Sequence, residues 1–526
     1  MLLLRKNWLS ARMNSASRAH PIPLLRSTGR KGAITALTSY ERSLESLHRH
    51  PVPQWFQDAK LGIFIHWGLF SIPAFAPRLR HISEAFIDHY RISAAMTPYT
   101  EWYQNAIRVP ESPSAKHHAD VWQGRPYADF KQTFEAGLEN WDPAEWARLF
   151  KRAGARYVVL VTKHHDGFCL WPSEVKNPNQ DAWTTKRDVV GELASAVRAE
   201  GLRFGVYYSG GIDCSFNTKP VRTIVQFIGS TPGGDYPAYA EAQVRELIER
   251  YEPSILWNDI SWPTPLAPML KLFVDYYDAV PEGVINDRWM HRNWKVKLIS
   301  LPPIKRLADL WLERKFRKDA AKGEYSPDII PPMPAHCDFR TPEYTSYPEI
   351  QKRKWECTRG MSPSFGYNQQ DKEEDYEDRT ELVHSFVDSD SKNGNLLLNV
   401  GPRGVDATIP EMQSSRLEFL GDWLDRDGDA IYGSTPWSAA ESETTDGDPV
   451  HLTRRGEVLY VTILGQPDGP EISFSVPGRL PEELVATRLD RGKPVGVRRQ
   501  GDVLTLQLDE PLRPAPAHSF SIATAR

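Results

Sequence analysis

Residues 155–168 read ARYVVLVTKHHDGF. From Tyr157 to Val161 every side chain is apolar or aromatic, so both faces of this short run are built for burial. A strand that is apolar on both faces belongs to a parallel sheet covered by helices. Directly after the run the chain turns polar, with Lys163, His164, His165 and Asp166. A helix follows in which Val189, Val190, Leu193 and Val197 fall on one face. Buried strand, polar tip and amphipathic helix make one β/α unit.

The unit recurs on both sides. LGIFIHWG at 61–68, LRFGVYYSGG at 202–211, SILWND at 254–259, GVINDRW at 283–289 and NLLLNVGP at 395–402 are further short apolar runs. Helical patterns stand between them: YAEAQVRELIERY places Val244, Leu247, Ile248 and Tyr251 on one face, and LKLFVDYYDAV and SSRLEFLGDWLDR follow later. So many units predict an α/β fold with a closed (β/α) barrel of the TIM type over residues 50–435. A doubly wound open sheet is the alternative, but no glycine-rich phosphate loop follows the first strand.

After about residue 436 the texture changes. EVLYVTILG, ISFSV, VLTLQLD and SFSIATA are short alternating strands between Gly, Pro and Asp, and Leu504, Leu506 and Leu508 share one face. Residues 436–526 are therefore expected to form a small antiparallel β-sandwich. Residues 296–337 interrupt the barrel rhythm with a basic amphipathic helix and a proline-rich return, read as an insertion packed on the barrel surface, with a rim around the active-site mouth as the alternative.

The totals bound the function. The 526 residues carry a net charge of −4, which argues against a dedicated nucleic-acid binder. No apolar run reaches the roughly 18 residues of a membrane span. Four scattered cysteines exclude a zinc ribbon and a disulfide framework. From Met1 to Tyr40 there are Arg and Lys but no Asp or Glu, so residues 1–49 read as a disordered basic segment, with a transit peptide as the alternative. LLL at 2–4 is too short for a secretory signal, which favours a cytoplasmic over a secreted protein. The composition leaves a homo-oligomer open.

The chemistry gathers where the strands end. His66, His164 and His165, Tyr207 and Tyr208, Asp259 and Arg288 each come directly after an apolar run. In a barrel those ends share the C-terminal face, so residues distant in sequence converge there. Alone, each has an ordinary structural explanation; together they make a site of hydrogen-bonding groups, aromatic faces and carboxylates, suited to a polyhydroxylated ring. A three-ligand metal site from His66, one of the adjacent histidines and Asp166 competes with it. Neighbouring strand residues point opposite ways, so His164 and His165 face one point only if the chain turns there.

WFQDAKLGIFIHWGLFSIPAF, YVVLVTKHHDGFCLWPS, LRFGVYYSGG, LWNDISWP, INDRW, DFRTPEY and NLLLNVGP, in this order, resemble the α-L-fucosidase family of retaining glycoside hydrolases. The resemblance runs from about residue 50 to 440. It implies a catalytic barrel with a β-sandwich, no cofactor and no metal, and removal of terminal α-L-fucose from fucosylated glycans or fucosides with retained configuration. By motif it implies Asp259 as nucleophile and Glu343 as general acid/base, with Glu101 and Glu356 as other candidates for the acid. His66, Glu101, Trp102, His164, His165, Tyr207, Trp257, Arg288 and Phe365 fall on fucose-binding positions, with Trp257 and Phe365 offered to the sugar's methyl group. Pro342, beside Glu343, departs from the family pattern. A fucose-binding protein without catalysis and a metal-dependent barrel hydrolase stand as the alternative functions.

Overall fold

The computed structural model describes residues 40–291, 301–322, 330–478 and 480–524; the basic stretch 1–39 lies outside them. Seven strands, β1 (Leu61–Ile65), β2 (Tyr157–Lys163), β3 (Arg203–Ser209), β4 (Ile255–Asp259), β5 (Val284–Ile285), β6 (Trp355–Arg359) and β7 (Gly394–Val400), pair in the order β5-β4-β3-β2-β1-β7-β6. All the pairings are parallel. β1, β2 and β7 are buried along their whole length.

Alternation explains why both faces are apolar. Tyr157, Val159 and Val161 join Phe64, Tyr207, Ile255, Trp257 and Leu397 in a cluster inside the barrel. Val158 and Leu160 point the other way, with Ile63, Ile65 and Val206, into the layer shared with the helices. That layer is covered by α1 (Pro143–Arg152), α2 (Val189–Ala199), α3 (Tyr236–Tyr251) and α4 (Leu266–Ala279). The start of α1 is fixed by Asp142, whose side chain accepts from Ala144 N, with Pro143 in the first turn where no N–H is needed. The expected apolar stripes of α2 and α3 are both buried.

β5 has two residues, and the gap between it and β6 is filled by a segment with no regular strand. Asp338 N donates to Ile285 O and the Asp338 carboxylate accepts from Ile285 N at 2.7 Å, tying the segment to β5. On the other side Glu356 N donates to Arg340 O and Thr358 N to Pro342 O, and Tyr344 N returns to Thr358 O. Residues 338–344 thus bridge the two sheet edges and carry Glu343 to the same face as the strand ends. Pro342 fits because only its carbonyl is used.

The insertion forms α5 (Pro302–Ala321). Its Phe316 ring lies 6.0 Å from both Phe86 and Tyr90, and Asp309 accepts from Tyr90 OH at 3.1 Å. It leans on the short helix Ile82–Asp88 and touches the helix Ile224–Ile228. Within the expected insertion at 296–337, residues 296–300 and 323–329 lie outside the described residues. The expected N-terminal boundary at 49 needs correction. Tyr40 to His50 pack on the barrel, with Leu47 fully buried, His50 Nδ1 2.9 Å from Asp338 and its ring stacked 3.9 Å from Tyr277.

Past α6 (Arg379–Ser391) and α7 (Glu411–Asp427) come β8 (Thr435–Glu443), β9 (Pro449–Arg455), β10 (Val458–Leu464), β11 (Glu471–Ser475), β12 (Leu484–Arg488), β13 (Lys493–Gln500), β14 (Val503–Gln507) and β15 (Ala517–Thr524). They form one eight-stranded antiparallel sheet, order β11-β14-β13-β12-β15-β10-β9-β8. A bridge between Thr444 and Phe474 brings its ends together, so the sheet folds over its own core of Val450, Val461, Phe474, Leu504, Leu506 and Phe520. Trp423 Nε1 donates to Ala517 O, joining α7 to this layer.

Candidate active site

At the C-terminal ends of the strands lies a cavity of about 980 Å³, counted to its open mouth. Asp259, Glu343, His66, Glu101, Trp102, His164, His165, Tyr207, Trp257, Arg288 and Phe365 all line it. The two adjacent histidines reach it together because β2 ends at Lys163 and the chain turns at once, with Gly167 N donating to His164 O at 3.0 Å. Their ring centres are 4.0 Å apart. The turn that the alternation of strand side chains required is therefore present.

Three neutral histidines form one wall. Burial pushes His66 down to about 3 and His165 to about 4, and it holds His164 well below the ordinary imidazole range. Their hydrogen bonds fix which nitrogen carries the proton. His66 Nδ1 faces Asn399 Oδ1 at 2.6 Å, an acceptor whose amide nitrogen is committed to Phe365 O, so Nδ1 holds the proton. Ser209 Oγ donates to Ile212 O and is left to accept from His165 Nδ1 at 2.7 Å. In both rings Nε2 then carries a lone pair, an acceptor ready for a hydroxyl. Asn399 escaped the sequence reading although it follows the run LLL in β7, the same strand-end signal that marked the others.

Below this wall Lys163 and Asp213 form an ion pair at 2.8 Å with both side chains fully buried. The Tyr208 ring sits 4.3 Å from the ammonium. The Asp213 charge outweighs the cost of burial and keeps Lys163 protonated. The pair links the residue before His164 to the loop whose Ile212 carbonyl holds Ser209.

The carboxylates face each other across Arg288. Its Nη1 lies 3.1 Å from Asp259 Oδ1 and 2.5 Å from Glu343 Oε1. Two oxygens on one nitrogen are separated by no more than these two lengths together, a bound that admits the roughly 5–5.5 Å spacing of retaining glycosidases. Tyr207 OH donates to Asp259 Oδ2 at 2.8 Å. Burial works to raise the Asp259 pKa, but the Arg288 guanidinium and the Tyr207 hydroxyl outweigh it and hold it below the ordinary aspartate value. Burial raises Glu343, with Asp259 adding to the effect against the pull of Arg288. Of two carboxyls in one pocket, one is thus biased towards the anion and the other towards the acid.

The other acid candidates separate clearly. Glu356 is fully buried, accepts from Tyr157 OH and Trp257 Nε1, and does not line the cavity. Glu101 does line it; burial pushes it up to about 7, and its Oε2 accepts from Gly366 N at 3.1 Å. Trp262, the second indole near Asp259, turns away and packs at a tilt against Trp289, ring centres 4.8 Å apart, in the core. Tyr99, Phe64 and Thr358 also line the cavity and were not singled out from the sequence.

The metal grouping of His66, a neighbouring histidine and Asp166 does not assemble. Asp166 accepts from Tyr127 OH and Phe168 N, outside the cavity lining. Among the described residues the grouping with ligand spacing is Asp388, Glu441 and His451, at the junction with the C-terminal sheet. There the Lys392 ammonium already lies 2.5 Å from both carboxylates. Incubation with EDTA is expected to leave turnover unchanged, and an activity restored by added divalent cations would reverse this reading.

Comparison with known proteins agrees with the geometry. The family model described as alpha-L-fucosidase matches residues 30–429. The tissue alpha-L-fucosidase of Homo sapiens is 30% identical over 450 residues, 83% of this chain and 81% of that protein. The alpha-L-fucosidase of Branchiostoma floridae is 30% identical over 89% of this chain and 91% of its own. The crystal structure of Thermotoga maritima alpha-fucosidase in complex with fucose superposes with a TM-score of 0.74 at 36% identity, covering 92% of this chain and all of that one. The alpha-L-fucosidase isoenzyme 1 of Paenibacillus thiaminolyticus has a TM-score of 0.61 at 25% identity over 90% of this chain. With a match of that extent, and with a paired carboxylate site at the strand ends, the chain belongs to the α-L-fucosidase family.

Proposed function

We propose that the protein is an exo-acting α-L-fucosidase that hydrolyses terminal α-L-fucosyl linkages with retention. The observation that carries this reading is the Asp259–Arg288–Glu343 bridge, in which two carboxyls of opposite bias share one guanidinium nitrogen. Asp259, ionised, attacks the anomeric carbon while Glu343 gives its proton to the departing glycosidic oxygen. A covalent fucosyl-enzyme ester results. Glu343, now a carboxylate, takes a proton from water, whose oxygen attacks the same carbon from the side the aglycone left and frees Asp259. As the ester forms, Asp259 loses its charge, and Arg288 retains Glu343 as a partner.

The sugar fits by chemistry. Nε2 of His66 and His165 accept from hydroxyls, Trp102 and Trp257 offer flat faces, and Phe64 and Phe365 supply apolar surface for a 6-deoxy methyl group. Fucosylated glycans or fucosides are the substrates. With 4-nitrophenyl α-L-fucoside, proton NMR is expected to show the α-anomer of L-fucose first; initial β-anomer would exclude retention, and no hydrolysis at all would return the reading to a fucose-binding protein.

Proton inventory sets the pH profile. The rate rises with pH as Asp259 ionises, below the ordinary aspartate range, and falls as Glu343 gives up its proton above the ordinary glutamate range. A bell-shaped kcat/KM is expected. Glu343→Gln is expected to remove the alkaline limb for a substrate whose leaving group needs no proton, such as a dinitrophenyl fucoside. Glu101→Gln should keep that limb. If the two variants behave the other way round, Glu101 is the acid.

A further inference from the structure

The polar groups of the cavity occupy its floor and one wall, at the strand ends. Its mouth is a different surface. Ile82, buried, and Phe86, Ile224, Phe227 and Ile260, partly exposed, line it there and offer no side-chain hydrogen-bonding group. Ile82, Phe86, Phe227 and Ile260 belong to one apolar cluster with Trp102 and Phe365, and the Phe227 ring lies 5.9 Å from that of Trp102.

Two further observations mark this collar as built. Ile260, the residue directly after Asp259, has φ of +71°. A β-branched side chain is rarely held in that region, and such a conformation persists where the surroundings impose it. Here Ser261 N donates to Asp259 O and Gly211 N to the same oxygen, forcing a tight turn that aims the isoleucine at the mouth. Behind the collar α5 acts as a brace, with Phe316 against the helix that bears Phe86.

We propose that this collar is the aglycone subsite and that it selects fucosides with a planar or apolar aglycone over those with an oligosaccharide one. The proposal rests on the fucosidase reading above. One continuous cavity joins the Asp259–Glu343 centre to these side chains. An aryl or alkyl aglycone leaving the Asp259–Glu343 centre would cover the collar and remove its apolar surface from water. A second sugar would bring hydroxyls that give up water and find no partner among Ile82, Phe86, Ile224, Phe227 and Ile260.

The test compares three substrates, methyl α-L-fucoside, 4-nitrophenyl α-L-fucoside and 2′-fucosyllactose, in the full chain and in a Phe86→Ala/Phe227→Ala double variant. Aglycone contacts made equally in ground and transition state appear in KM rather than kcat. The double variant is expected to raise KM for the aryl substrate about tenfold or more, the effect of losing one buried aromatic contact. For methyl fucoside, and for inhibition by free L-fucose, it should change less than about twofold on the same scale. Phe316→Ala, a positioning change, should move aryl KM in the same direction by less. Equal losses on methyl and aryl substrates, or a wild type that prefers 2′-fucosyllactose to the aryl fucoside, would overturn the collar while leaving the fucosidase reading intact. A wild type that cleaves none of the three overturns the function itself.

Discussion

Asp259→Gly is expected to lower kcat for an aryl α-L-fucoside by about 10⁴-fold or more, the scale seen when a covalent nucleophile is removed. The fold should survive, because Asp259 sits at the tip of β4 and its side chain bonds only Tyr207, Arg288 and the next backbone N–H. A near-unchanged far-UV spectrum and melting temperature would separate lost chemistry from lost structure. Azide should then rescue turnover by entering the space of the missing carboxylate, and the product should be β-L-fucosyl azide, since one displacement inverts. Turnover near the wild-type value, or an α-configured azide, would sink the assignment. The same change in an active-site group with a binding role, such as His66→Ala, leaves the nucleophile in place and should admit no such rescue.

The second large effect is on stability. Lys163→Met would leave Asp213 charged in a site with no solvent access, where its Oδ2 faces the missing ammonium. Removing one partner of a buried pair costs about 3–5 kcal/mol, far more than the pair adds when intact. The expected readout is a lowered midpoint in denaturant at unchanged slope. Combining the change with Asp213→Asn should recover part of the loss, because the uncompensated charge is gone; a double variant no better than the single one would mean the cost lies in packing against Tyr208, Tyr236 and Tyr239. Activity should fall too. His164 follows Lys163 directly, and Ile212, next to Asp213, holds the Ser209 that orients His165.

What the sequence disclosed and what it hid divide along physical lines. Strands such as Tyr157–Lys163 were legible because burial on both faces demands an unbroken apolar run, and the strand-end residues were legible because a barrel brings all such ends to one face. Asn399 obeys the same rule and was overlooked behind three leucines. The shared orientation of His164 and His165 depends on a turn that no residue preference announces. The segment 338–344 could not be read as a stave, since Arg340 and Pro342 break any strand pattern and its partners lie on β5 and β6. The apolar mouth comes from the short helices Ile82–Asp88 and Ile224–Ile228 and from Ile260, which share no common period, so only the folded chain assembles it. α5 was legible as an amphipathic helix, yet its seat behind Phe86 was not.

The join between β5 and the closing segment has one more implication. Ile285 and Asp338 are 53 residues apart in the chain and share two hydrogen bonds, so everything between them is a loop whose ends already touch. The entropy of closing such a loop grows only logarithmically, about 0.6 kcal/mol for each doubling of length. Chain can therefore be lengthened between Ile285 and Asp338 at little entropic expense and without shifting the register of any strand. Arg288 and Glu343 are moored near the two feet of this tether, three residues past Ile285 and five past Asp338. This is where a foreign recognition segment could be grafted while the bridge between Asp259 and Glu343 stays in place.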